Sequence, residues 1–214
     1  MTLSAPCYDR ADYWRHFQLD YGQLRVLDIG SSIGSYDKRA EFRGARAGLT
    51  RAARYVSLDI SAAGRPQVVA DAHALPFPDE SFDVVLANNV IEHLSDPTDG
   101  VSEMRRVLAP NGQLLYTIPF LYPVHEAPND YTRFTRYGLA RLFRDFSAVE
   151  IHARGGFFST LAQLVFLLTR AADRVRLGGI LRAAAYPGLW LVVQLDRFDR
   201  SDAFTRVYYG RVRK

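Results

Sequence analysis

A series of short, nearly uninterrupted apolar runs, spaced by amphipathic stretches, limits this chain more than any other feature. Residues 24–29 form the first, ending at Gly30, and residues 55–59 the second; 67–70, 82–87 and 113–118 follow. Runs this short, without polar alternation, read as strands covered on both faces, the pattern of a parallel sheet. Helix patterns lie between them. Residues 35–43 follow the first strand. Asp96-Pro97 opens a helix to Leu108, with aspartate as cap, proline in the first turn, and Val101, Met104, Val107 and Leu108 on one face. Asn111-Gly112 is expected to close that helix and turn the chain into the fifth strand. Residues 135–143 read as another helix, with Leu139, Leu142 and Phe143 inward, and 148–153 and 205–212 as the last two strands. Strands alternating with helices predict an α/β fold with right-handed crossovers.

One stretch departs from this rhythm. Residues 155–203 separate the last two strands, where a short turn would suffice, and hold apolar runs at 157–168 and 189–193 with Arg170, Arg174, Arg176 and Arg182 between them. Neither run approaches the ~20 residues that span a bilayer. A helical hairpin is expected. The sequence leaves open whether it lids the site, forms a dimer face, or lies on a membrane surface.

The 214 residues suffice for one α/β core. The single cysteine, Cys7, excludes an internal disulfide framework and a thiolate zinc site, and no metal site is expected. Charges at Asp9, Arg10, Asp12 and Arg15 interrupt any apolar leader, so a cytoplasmic setting is expected. The formal charge of +4 comes from dispersed arginines, with only Lys38 and Lys214 as lysines. This dispersion does not favour a nucleic-acid partner.

The chemistry-bearing residues sit at strand ends. The first turn reads Asp28-Ile29-Gly30-Ser31-Ser32-Ile33-Gly34. Small residues after a first strand let backbone approach a ligand, and a following helix offers free N–H groups. A carboxylate two residues before the first glycine suits an ammonium-bearing ligand and repels a pyrophosphate. The spacing is also not the Gly-x-Gly-x-x-Gly of dinucleotide folds. Asp59-Ile60 ends the second strand, where a carboxylate can accept bonds from both ribose hydroxyls. Asp71 leaves the third strand's tip, placed to accept from an adenine amino group, with Ala72 leaving room for the ring. Asn88 ends the fourth strand.

Val-Leu-Asp-Ile-Gly-x-x-x-Gly, then a strand ending in Asp, then Asp-Ala-x-x-Leu-Pro-Phe-x-Asp-x-Ser-Phe-Asp-Val-Val, then Val-Ile-Glu-His-Leu-x-Asp-Pro, then Glu-Met-Arg-Arg-Val-Leu-Ala-Pro-Asn-Gly resemble, in this order, the class I S-adenosylmethionine-dependent methyltransferases of the methyltransferase type 11 branch. The resemblance runs from Leu24 to Ala153, about 60% of the 214 residues. It implies a Rossmann-like, seven-stranded, mostly parallel sheet with helices on both faces and a helical insertion before the last strand. It also implies a single methyltransferase domain: a helical cap at 1–23, the cofactor-binding core at 24–154, the insertion at 155–204 and the last strand at 205–214. Carried over residue by residue, the cofactor S-adenosylmethionine is held by Asp28, Gly30, Ser32 and Gly34 at its methionine part, by Asp59 and Ile60 at ribose, and by Asp71 and Ala72 at adenine, with Asn88 near the sulfonium. Ser32 stands where the family turn has its middle glycine.

A second block, residues 119–135, gathers His125, Glu126, Asp130, Tyr131 and Arg133 after the fifth strand. It resembles a subgroup of the family with a His-x-x-Pro-x-Asp-x-x-Arg-Phe-Thr segment. His125 is the first candidate for a catalytic base, since imidazole removes protons near neutral pH; tying down its own loop through Asp130 or Arg133 is the alternative. His93, Asp130, Tyr131 and Arg133 are expected on the substrate side. Arg133 either holds an acidic group of the acceptor or pairs with Asp130, and His73 is read as a surface residue. Methylation of oxygen on a sugar, glycolipid or small molecule leads. A nitrogen- or RNA-directed methyltransferase and a non-catalytic interaction protein with the same fold are the alternatives. Contact with a membrane surface through 157–195 and a homodimer are the partner expectations besides the acceptor.

Overall fold

A computed structural model describes residues 7, 19–31, 51–171, 178–199 and 201–214. Ser32, Gly34, the helix expected at 35–43 and most of the N-terminal cap fall outside the described residues. The strands are β1 (Arg25–Ile29), β2 (Arg54–Asp59), β3 (Val68–Val69), β4 (Phe82–Asn88), β5 (Leu108–Pro119), β6 (Ala148–Arg154) and β7 (Val207–Arg213). The helices are α1 (Pro97–Val107), α2 (Arg136–Leu142), α3 (Phe157–Ala171) and α4 (Gly178–Val193). One sheet orders the strands β3-β2-β1-β4-β5-β7-β6.

The β1–β2, β1–β4, β2–β3 and β4–β5 pairs are parallel. β7 runs against both neighbours. Toward β5, Phe120 N–H bonds Arg206 O at one end and Lys214 N–H bonds Gly112 O at the other. Toward β6, the matching bonds are Arg206 N–H to Arg154 O and Ser147 N–H to Arg213 O. The expected mostly parallel seven-stranded sheet is therefore present.

The chain divides into two compact units. The larger holds the described residues of 13–119, 123–152 and 209–214. Its sheet is apolar on both faces: Val26, Val84, Leu86 and Leu115 pack with Tyr21 and Tyr209 on one, while Leu27, Val85, Ala87 and Leu114 are also fully buried. Asp96 caps α1 by accepting from Thr98 N and Asp99 N, Pro97 starts the helix, and Val101, Met104 and Val107 are buried, all as their spacing predicts.

Two boundaries differ from the sequence reading. The Asn111-Gly112 pair does not close α1. The helix stops at Val107, and β5 runs from Leu108 through that pair. Phe82 faces Leu108 but Val84 faces Gln113, so the extra residues bulge out where Asn111 takes φ 64°. Strand β3 is only Val68–Val69. The Gln67 side chain accepts from Ser57 N at 2.8 Å, replacing a backbone acceptor one residue before β3 begins.

The smaller unit holds Cys7 and the described residues of 120–122 and 153–208, including the expected hairpin of α3 and α4. Ala162 and Phe166 of α3 pack on Leu189 and Val193 of α4. Fully buried Asp196 accepts from Gly156 N, Phe158 N and Ser159 N, and Asp199 accepts from Phe157 N, so two carboxylates satisfy the open N–H groups at the start of α3. Among the described residues, no helix is long and apolar enough to cross a membrane.

Arg106 of α1 ties the Leu75-Pro76-Phe77 segment to the helix. Its guanidinium donates to Leu75 O, Phe77 O and Asp79, and is clamped by Glu103, which also accepts from Leu75 N. Two motifs distant in sequence are thus one network. Arg106→Ala is expected to lower unfolding stability by about 2 kcal/mol in urea titration, with Arg106→Lys recovering only part because a point charge cannot reach both carbonyls and both carboxylates.

Candidate active site

The carboxyl ends of β1, β2 and β4 lie side by side because their register aligns Ile29 with Leu58 and Ala87. Gly30 N–H then bonds Leu58 O at 2.8 Å, and Gly30 adopts φ 68°. A Cβ at Gly30 would stand 2.5 Å from Val90 Cγ2, so only glycine allows the first turn to pass the segment leaving β4.

Asp28 is buried at 2% exposure. Its Oδ2 accepts from Tyr55 Oη at 2.6 Å, while Oδ1 is buried with no hydrogen-bond partner among the described residues. Burial pushes its carboxyl up to about 7, against the opposing Tyr55 bond and with a smaller contribution from Asp59. A half-satisfied acid is thus held at the tip of the first strand.

Asp59 ends β2, with Oδ1 accepting from Ser61 N, and Ile60 beside it is exposed. Asp71 is fixed by His73, whose backbone N–H and Nδ1 lie 2.9 and 2.6 Å from Asp71 Oδ1. His73 Nε2 accepts from Asp96 N, which places the ring proton on Nδ1 for donation to Asp71. These contacts hold the Asp71 carboxyl below the usual carboxylate range. His73, read from sequence as a surface residue, bridges Asp71 to the cap of α1. Ala72 is buried, and Asn88 Oδ1 accepts from Thr117 Oγ1.

Past β4, a short helical turn at Ile91–His93 meets the 123–133 loop. Tyr131 N and Thr132 N both donate to Glu92 O, and Asn129 O accepts from His93 Nδ1. Asp130, with a 1% exposed side chain, forms a fork with Arg133: Nη1 bonds Oδ1 and Nη2 bonds Oδ2 at 2.7 Å. It also accepts from His125 N. This fork keeps the Asp130 carboxyl well below its ordinary range. Of the two readings for Arg133, the ion pair with Asp130 is the one present.

His125 lies between two carboxyl groups. Nδ1 is 3.3 Å from Asp130 Oδ2 and Nε2 is 3.6 Å from Glu92 Oε1. Glu92 first, then Asp130, raises the imidazole's pKa against the opposing effect of burial. Both ring nitrogens are therefore engaged. Tyr131 is half exposed and bonds Asn129 through its hydroxyl. Glu92, fully buried, lies in the Val-Ile-Glu-His-Leu segment, and the resemblance assigns it no role. Its place depends on a loop some thirty residues later, and nothing local announces it.

Residues 27–116 match the family described as "Methyltransferase domain". A ubiquinone/menaquinone biosynthesis C-methyltransferase of Hahella chejuensis is 33% identical over 122 residues, covering 48% of this chain and 47% of that protein. A malonyl-(acyl-carrier protein) O-methyltransferase of Halorhodospira halophila is 33% identical over 105 residues, covering 43% of this chain and 34% of that protein. The chain thus spans about half the length, or less, of these curated relatives. An S-adenosylmethionine-dependent methyltransferase structure from Mesorhizobium loti superposes with TM-score 0.57 at 16% identity, covering 94% of this chain and 95% of that one. Haemonchus contortus phosphoethanolamine N-methyltransferase 2, solved with S-adenosylhomocysteine, superposes with TM-score 0.56 at 19% identity, covering 94% and 50%. These structures show a shared fold.

Asp130→Asn is expected to lower stability by about 2–4 kcal/mol, because the partly buried Arg133 loses its counter-charge. Arg133→Lys keeps the charge but loses the fork and is expected to cost less; thermal unfolding of both variants checks the order.

Proposed function

With residues 27–116 belonging to the methyltransferase domain family, we propose that this protein is an S-adenosylmethionine-dependent methyltransferase acting on a hydroxyl oxygen of a sugar, glycolipid or small molecule. The observation that carries the reading is Asp28, with one carboxyl oxygen held by Tyr55 and the other buried without a partner among the described residues. An acid in that state fits the ammonium of the cofactor's methionine part: an incoming cation supplies the missing bond and relieves the burial penalty.

The other donors fit in order along the strand ends. Asp59, beside Ile60, offers a carboxylate to ribose hydroxyls. Asp71, already oriented by His73, offers one to the adenine amino group, with Ala72 leaving space for the ring. Gly30 permits close backbone approach; Ser32 and Gly34 lie outside the described residues and are assigned to the same turn by the resemblance alone. Asn88 stands beside the reacting centre. Bound there, S-adenosylmethionine would supply a methyl group on a sulfonium able to leave as a neutral thioether, with the proton of the acceptor hydroxyl released to solvent. The protein's task is to align and desolvate the two partners. The acceptor side is formed by the 91–93 turn and the 123–133 loop, including His93, His125, Asp130 and Tyr131. Asp130 and Arg133 position that loop rather than touch the acceptor. His125, the candidate base, faces a carboxyl group at each ring nitrogen, Asp130 at Nδ1 and Glu92 at Nε2.

The two named relatives are a carbon and an oxygen methyltransferase, so the shared domain leaves the acceptor atom to this chain's own loop. The exposed Leu164, Leu168, Ile180, Trp190 and Leu191 support an association surface on the α3–α4 hairpin, for a membrane face or a second copy. Sedimentation with and without anionic vesicles separates the two: pelleting with vesicles, or a dimer without them.

Calorimetric titration with S-adenosylmethionine across pH tests the cofactor site. Asp28 must ionise to receive the ammonium, so affinity is expected to rise on the order of tenfold from pH 5.5 to 7. The free protein should do the opposite. Ionising a buried acid disfavours the fold, so stability should fall between about pH 4, where the unfolded carboxyl titrates, and about 7. Asp28→Asn should bind weakly and flatten both profiles. Tight, pH-independent binding by that variant would defeat the assignment.

A further inference from the structure

Glu92 poses a physical problem that the cofactor site does not solve. Its side chain is 0% exposed, and neither carboxyl oxygen has a hydrogen-bond partner among the described residues. A carboxyl group buried this way is costly unless something compensates it. Two imidazoles approach it, with His93 Nε2 3.8 Å and His125 Nε2 3.6 Å from the same oxygen, Oε1, and the Arg133 guanidinium, already forked on Asp130, adds a more distant positive charge. Those separations are too long for hydrogen bonds. They are close to the spacing of two ligand atoms each about 2.1 Å from a shared ion, which is ~3.4 Å in tetrahedral geometry.

The far sides of both rings are anchored. His93 Nδ1 donates to Asn129 O, fixing the proton there and leaving the Nε2 lone pair turned toward Glu92. His125 Nδ1 faces Asp130 Oδ2, itself oriented by the Arg133 fork. An imidazole tied at one nitrogen to a carbonyl or carboxylate, with the other nitrogen presented to a carboxyl oxygen, has the outer-shell arrangement of a metal ligand. One ligand atom from each of the three residues lies within 4.8 Å of the others. The two imidazole side chains are 20% and 26% exposed, which leaves a path for an ion to enter and positions for further ligands.

We propose that Glu92, His93 and His125 form a divalent-cation site on the acceptor side, taking a first-row transition ion or zinc through two imidazole nitrogens and one carboxylate oxygen. Two nitrogens with one oxygen favour manganese, cobalt, iron or zinc over magnesium or calcium, which prefer all-oxygen shells. Asn129 and Asp130 act as positioning residues through the two rings. The assignment deepens the proposed methyltransferase reading: an open position on the ion would receive the acceptor's hydroxyl oxygen, and the ion would ease loss of its proton to solvent water as that oxygen takes the methyl group. Oxygen acceptors bearing a hydroxyl are the class this suits.

The test uses the full chain, stripped with chelator and titrated with Co(II), read by its visible absorption and by calorimetry, then with Zn(II) in competition. One ion per chain is expected, displaced by Zn(II). Glu92→Gln and His125→Gln should each weaken binding by at least tenfold. His152→Asn, altering a half-exposed imidazole beside Glu150, should leave binding unchanged. Thermal melts of each variant check that it is folded. Absence of stoichiometric binding by the wild type would overturn the site, as would equal binding by folded Glu92→Gln. So would loss of binding in His152→Asn alone, which would mark a surface site. Asp28→Asn, which targets the cofactor, should bind Co(II) like the wild type. Failure of the cation site and failure of the methyltransferase reading therefore show in different titrations.

Discussion

The parallel pairing of β1 between β2 and β4 is the constraint on which the candidate site rests. With Ile29 opposite both Leu58 and Ala87, the three strands end at one level, and Asp28, Asp59 and Asn88 arrive there together. The apolar packing of Val26, Leu27, Val84, Val85 and Leu86 holds that register, since a one-residue slip would exchange side chains of different shape between two close-packed faces. A buried acid at such a position is tolerable only because Tyr55 of the neighbouring strand bonds one of its oxygens. The other oxygen has no partner among the described residues, the bond that the proposed ammonium contact would supply.

The second half of the site obeys a different logic. The 123–133 loop gains order from polar contacts rather than apolar burial: Asp130 binds Arg133 and the His125 backbone, while Glu92 O receives two N–H groups from residues 131 and 132. The cluster of Glu92, His93 and His125 is what this docking produces. The molecule thus presents a strand-borne half, where the proposed cofactor contacts lie, and a loop-borne half, where the proposed acceptor contacts lie.

Much of the sheet could be read from the chain because its strands are continuous apolar runs and α1 carries its own cap and stripe. The end of α1 was misread because Asn-Gly is equally good chemistry for a helix stop and for a bulge, and only the pairing of β4 with β5 decides between them. Strand β3 was overestimated because a glutamine side chain can stand in for backbone. In the site, Asp28 was legible from its place before Gly30. Its Tyr55 partner and the His73 bridge were not, because both require contacts made across elements. Glu92 was hidden most completely, since the meeting of its carboxyl group with two imidazoles exists only once a distant loop has docked against it.

The most direct test of the account is a crystal structure of the full chain grown with excess S-adenosylhomocysteine. The account requires the ligand's ammonium within hydrogen-bonding distance of Asp28 Oδ1, its ribose hydroxyls on Asp59 and its adenine amino group near Asp71. A well-ordered structure in which the ligand lies elsewhere, or in which Asp28 Oδ1 stays unpartnered at saturating ligand, would contradict it.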